Sequence, residues 1–178
     1  MKRALPALLA LLLPVVANAQ ANRPAQGGQP GPQRLGISQN WTAATHQEGG
    51  QKVCYAFTRA TKTEGGGPRQ NVILTVTHRP QGRDQVAASL GFSFPRNADR
   101  RETTVEASVG SNDLSFYGAG TNAFAQNGGA AVAAFRNGRD VVFRSPGPQG
   151  KGATTDTFSL MGFSAAYEAI SRECPARR

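Results

Sequence analysis

The side chains able to do chemistry in this chain are few, and their spacing argues against most reactions. His46 and His78 are its two histidines, and neither has a Cys, Asp or Glu at metal-ligand spacing. A zinc site would need His46, His78 and Asp84 to converge from a distance, so no metal and no cofactor is expected. A Ser/His/Asp relay needs only convergence in space. No serine, however, sits in a nucleophile-elbow pattern: Gly110-Ser111-Asn112 and Met161-Gly162-Phe163-Ser164 lack glycines on both sides. Glu102 and Glu106 are four apart, which on a strand merely puts both on one face. The run from Gly147 to Thr155 holds Lys151 and several hydroxyls without Walker spacing, and reads as a hairpin loop. Asn40-Trp41-Thr42 matches a glycosylation sequon, a signal that depends on the host. No catalytic residue is assigned, and an enzyme is not the expectation.

Charge offers a different kind of chemistry. Lysine and arginine number 20 against 11 acids, a net charge of +9. The densest positive segment of the domain is Arg96, Arg100 and Arg101, with Asp99 among them. These three arginines are the candidate partner-binding patch, for a protein or an anionic surface. Nucleic acid is not expected, because the arginines do not interleave with an aromatic platform. Phe92 and Phe94 alternate as one buried strand face would.

The N-terminus sets the compartment. Met1-Lys2-Arg3 is basic, Ala4 to Val16 is almost wholly apolar, and Ala17-Asn18-Ala19 has the small-x-small form of a signal-peptidase site. The apolar run holds Pro6 and Pro14 and falls below the roughly 18 residues of a membrane span. Residues 1–19 therefore read as a cleaved signal peptide, and the mature chain starts at Gln20. No cysteine follows the cleavage site to carry a lipid. Removing 19 of 178 residues leaves 159, and losing Lys2 and Arg3 leaves a charge of +7. In an oxidising compartment the two cysteines, Cys54 and Cys174, are most simply one disulfide, ahead of reactive thiols.

These residues must be positioned by a chain that reads as leader, sandwich and helix. Residues 20–38 are rich in Gly, Pro, Gln and Asn and read as a disordered leader. The domain is expected over 39–178. Its first strand is Trp41 to Thr45, with the single tryptophan packing inward, followed by Lys52 to Thr58. Glu64 to Pro68 reads as an unrestrained loop, and Asn71 to His78 as a central strand rich in β-branched residues. Gln85 to Gly91, Thr103 to Val109 and Leu114 to Tyr117 follow, with Thr121 to Ala125 as a short edge strand. Ala130 to Arg136 predicts two helical turns stopped at Asn137-Gly138. Asp140 to Arg144 and Thr154 to Leu160 are the last strands. Phe163, Ala166, Tyr167 and Ile170 recur at helical spacing, with Ser164 as N-cap. Many short strands and one terminal helix predict a mainly β protein, a β-sandwich with a short C-terminal helix.

The segment from Lys151 to Ala166 resembles the ending of the invasion-associated locus B family of exported bacterial proteins. There a Ser-Leu-x-Gly-Phe-x-x-Ala stretch, here Ser159 to Ala166, carries the last strand into the terminal helix. Trp41, Val53-Cys54-Tyr55-Ala56 and Ala169 to Cys174 are similar to the same pattern, over about residues 38–174. The resemblance implies an immunoglobulin-like sandwich in the periplasm or loosely held at the outer membrane. Family members are linked with host-cell invasion in some pathogens, and the family supplies no catalytic set. Many members carry further cysteines that this chain lacks. The expectation is a non-enzymatic envelope protein that binds a protein or an anionic surface component, including peripheral contact with a membrane. A periplasmic hydrolase built on His46 or His78 and a carrier of a small apolar ligand are the alternatives.

Overall fold

The computed structural model describes residues 31–95 and 103–176. The signal peptide, most of the leader and the Arg96, Arg100 and Arg101 patch lie outside the described residues. Eleven strands form one antiparallel sheet: β1 (Gln33–Ser38), β2 (Trp41–Glu48), β3 (Gln51–Arg59), β4 (Lys62–Glu64), β5 (Ile73–Arg79), β6 (Gly82–Ser89), β7 (Thr103–Val109), β8 (Asn112–Ala119), β9 (Asn122–Ala125), β10 (Asp140–Pro146) and β11 (Ala153–Ser159). Two helices complete it, α1 (Gly128–Asn137) and α2 (Phe163–Glu173). None of the described helices is long and apolar enough to cross a membrane.

The strand order is β1-β2-β3-β5-β6-β9-β8-β7-β10-β11-β4. The last strand in that order continues the third along the chain. After Ala60, which still bonds Val72 of the approach to β5, the chain crosses and Thr61 donates its N–H to Thr157 on β11. The sheet therefore curls far enough for its far edge to return to β3. The mainly β class and the C-terminal helix agree with expectation; the strands pair as a single sheet.

Alternation explains the layering. On β3, Cys54 and Ala56 are fully buried while Tyr55 and Phe57 are half-buried on the outer face. Leu74, Val76 and His78 do the same on β5 against the outward, half-buried Thr75, while Thr77, on the outer face by register, is buried as well. The inner face closes over Trp41, Phe116, Phe143, Phe158 and Phe163. Their rings meet edge-on: Phe116–Phe143 at 4.8 Å, Phe143–Phe158 at 5.6 Å and Trp41–Phe163 at 4.8 Å. Trp41 Nε1 donates to the Ser159 carbonyl at 2.9 Å, so its polar atom is satisfied in the core. Helix α2 lies over β1, β2 and β3, and α1 over β6.

Several expectations need correction. The leader assignment reached Ser38, but Gln33–Ser38 is a strand paired with β2, because Leu35 packs on the core and the backbone groups find partners. The segment 64–68 is held: Arg69 donates to the carbonyls of Glu64 and Gly65 at 3.1 Å each. Strand β9 is not an edge; it sits between β6 and β8. Phe92 and Phe94 lie in the loop after β6, where Phe94 is buried over Gly118, a position at which any Cβ would meet its ring at 2.6 Å. The N-cap of α2 is Gly162 rather than Ser164. Its φ of 91° is left-handed, and a Cβ there would fall 2.0 Å from the Ser38 carbonyl oxygen, so both conformation and space require glycine.

Candidate functional site

The polar side chains that converge most tightly do so where the β5–β6 hairpin meets the end of α2. Between Thr77/Gln85 and Arg79/Gly82 the register shifts, which places an extra residue on β6. Asp84 takes up that bulge with a φ of 54°. The irregularity lets consecutive residues, Arg83 and Asp84, both reach α2, which strict alternation would forbid. Tyr167 and Ser171 are one helical turn apart and present their hydroxyls to that corner. Tyr167 donates to Asp84 Oδ1 at 2.7 Å, and Arg83 Nη2 donates to Ser171 Oγ at 3.1 Å. Arg83 also donates through Nη1 to the Cys174 carbonyl. The neighbouring disulfide joins Cys54 on β3 to Cys174 just beyond α2, with Cα atoms 6.0 Å apart.

His78 stands at the centre, almost fully buried. Its Nε2 lies 3.1 Å from Ser171 Oγ and 3.0 Å from Arg83 Nη2; its Nδ1 receives the Asp84 N–H at 3.3 Å and is 3.7 Å from Asp84 Oδ1. Residue types alone make this a Ser–His–Asp constellation, and a histidine does meet a serine and an acid here. The donors decide what it does. If Nδ1 accepts from the Asp84 amide, the neutral ring carries its proton on Nε2 and donates to Ser171. If Nε2 is the acceptor, the Arg83 guanidinium occupies it. In the first tautomer Nε2 is protonated and offers Ser171 no lone pair, and in the second Arg83 takes that lone pair, so neither supplies a general base for Ser171. Burial first, and then the Arg83 charge, push the His78 pKa below its ordinary value, against a smaller raising effect of Asp84. Tyr167 is pushed up by burial and by its bond to Asp84, so it remains a protonated donor. The cluster fastens α2 to the hairpin.

A groove of about 600 Å³ opens beside it, lined by Lys52, Arg79, Gln81, Arg83, Glu173 and Pro175. Three cations and one acid line it. Lys52 pairs with Glu173, and Arg79 with Glu48 at 3.0 Å, but Lys52 and Arg79 both keep substantial exposure.

The remaining sequence candidates do not gather. His46 packs edge-on against Tyr55 at 5.3 Å, away from His78, and among the described residues no three His, Cys, Asp or Glu side chains form a metal-sized group. Glu106 points outward on β7. In the Gly147–Thr155 run, residues 147–152 are the β10–β11 hairpin loop and Ala153 to Thr155 begin β11. A second polar pair had no signal in the sequence. Asp156, fully buried on β11, takes a two-pronged contact from Arg69 at 2.7 Å to each oxygen. The guanidinium spends its other donors on Gly65, Glu64 and Leu90 carbonyls. With every donor used, the pair closes the loop before β5 onto β11 and is structural.

No protein-family model matches the chain, and no curated protein matches it in sequence. Among solved structures, the fold is similar to the crystal structure of invasion associated protein B from Bartonella henselae. The TM-score is 0.56 at 18% identity, over 78% of this chain and 95% of that one.

Proposed function

We propose that this chain is an exported envelope protein, related to the invasion-associated locus B family, that acts by binding rather than by turnover. On this reading residues 1–19 are removed on export, and residues 20–32 link the mature N-terminus to β1. The curled sheet serves as the immunoglobulin-like sandwich of that family. The partner is a protein or an anionic component of the envelope, met in the periplasm or at the outer membrane. The observation that carries the reading is the cationic groove of Lys52, Arg79 and Arg83, anchored by a disulfide and a buried polar cluster that hold its walls. The similarity of fold and the Ser159 to Ala166 segment support the family part. The ring-filled interior argues against a carrier of apolar ligands.

Crosslinking in intact cells tests it. A reproducible partner is expected to be lost on reversing the charge of Lys52 and Arg79, or of Arg96, Arg100 and Arg101, and whichever set acts locates the face. Recovery of no partner, or of one indifferent to both sets, would refute the electrostatic contact. The alternative, a hydrolase, would need Ser171 to be activated across its 3.1 Å approach to His78, which the Arg83 and Asp84 donors oppose. A fluorophosphonate probe decides: covalent labelling abolished by Ser171→Ala would replace binding with catalysis.

A further inference from the structure

The outer face of the sheet carries aromatic rings that neither the basic groove nor the polar cluster uses. Register places Phe57, Thr75, Ala87, Phe124 and Tyr117 in one row across β3, β5, β6, β9 and β8. One step along, Tyr55, Thr77 and Gln85 form a second row. The aromatic residues thus fall in two groups separated by small or hydroxyl side chains. Tyr55 and Phe57 stack with centroids 6.0 Å apart and planes 26° from parallel. Tyr117 and Phe124 lie 5.7 Å apart at 33°. Three strand spacings, about 14 Å, separate β3 from β9. Within that span lies a depression of about 680 Å³ lined by Thr75, Thr77, Gln85, Ala87, Phe124 and Tyr117. All four rings are half-buried, leaving part of each in water.

We propose that this trough binds an uncharged linear glycan. Protein interfaces bury an apolar centre inside a polar rim. Here the order is inverted, with threonines and a glutamine along the floor and rings at the sides. An acyl chain on that floor would strip water from hydroxyls without replacing their hydrogen bonds. A sugar chain offers C–H faces to aromatic rings and hydroxyls to Thr75, Thr77 and Gln85, whose groups donate and accept alike. The absence of net charge follows from what closes the trough at one end, where the two cations Arg79 and Arg83 stand with two acids, Glu48 paired to Arg79 and Asp84 beside Arg83. Arg79 is tied to Glu48 and Gln85, Arg83 to Ser171 and the Cys174 carbonyl, and Asp84 to Tyr167. The trough shares Arg79 and Arg83 with the basic groove as a common wall. Lys52 lines only the groove, and Tyr117 and Phe124 line only the trough, so the two sites are tested by different variants.

Calorimetric titration of the full chain with β-1,4-linked hexamers of glucose and of N-acetylglucosamine is the test. At least one hexamer is expected to bind saturably. Phe124→Ala and Tyr55→Ala should each weaken it about tenfold, the scale of one lost aromatic contact. Thr77→Val, nearly the same shape, should weaken it while leaving the unfolding midpoint close to wild type. Lys52→Glu should not alter it. Failure of both hexamers to bind, or binding indifferent to the ring and threonine variants, would overturn the proposal.

Discussion

His78 is a buried titratable group whose fold favours one protonation state. The folded chain holds the ring neutral because burial and Arg83 oppose the proton, whereas the unfolded chain takes it up near pH 6.5. Stability from this site is therefore complete above about pH 6.5 and lost as pH falls toward the lower folded pKa. Urea midpoints at about pH 7.5 and about pH 5.5 should differ more in the wild type than in His78→Gln. Equal differences would show that the ring titrates freely. Two of the five residues of this cluster are legible in the sequence, since His78 and Asp84 lie six apart and suggest a pair of metal ligands. Arg83, Tyr167 and Ser171 are not, because only a bulge at Asp84 turns two consecutive β6 residues to the same helix. The spacing of Tyr167 and Ser171 on one face of α2 was visible, but the apolar stripe beside it claimed Tyr167 for the core.

At the scale of elements, α2 is held by its first residue as much as by its last turn. Phe163 is fully buried, with its ring centroid 4.8 Å from Trp41 and 5.6 Å from Phe135. Phe163→Ala should cost about 3–5 kcal/mol, read from chemical unfolding. An unchanged midpoint would mean that the helix does not seat there. Gly162 makes that seat by turning the backbone where no side chain fits against Ser38. The helical period of α2 and the strand period of β3, β5 and β7 were readable because each element buries one face. Strand β1 was not, since its glycine, glutamine and arginine carry little apolar signal and it forms by pairing with β2.

For the whole molecule, the Cys54–Cys174 bond closes a loop of 120 residues across nearly the entire described domain. The chain-entropy model assigns such a cross-link about 4–5 kcal/mol. Denatured, unreduced protein should show no free thiol, and reduction should lower the unfolding midpoint; a count of two thiols would refute the bond. Composition and periodicity were enough to establish a mainly β chain with a terminal helix, an inward Trp41 and a cysteine pair, because burial on one face leaves its mark on neighbouring residues. Tertiary structure alone decided that β3 runs on to meet β11 and that Arg69 crosses 87 positions to neutralise Asp156. It also decided that Phe57 and Phe124 fall in one row on the outer face and that His78 meets α2. Each of these depends on register between segments far apart in the chain, and pairing of that kind leaves no local pattern for a sequence to display.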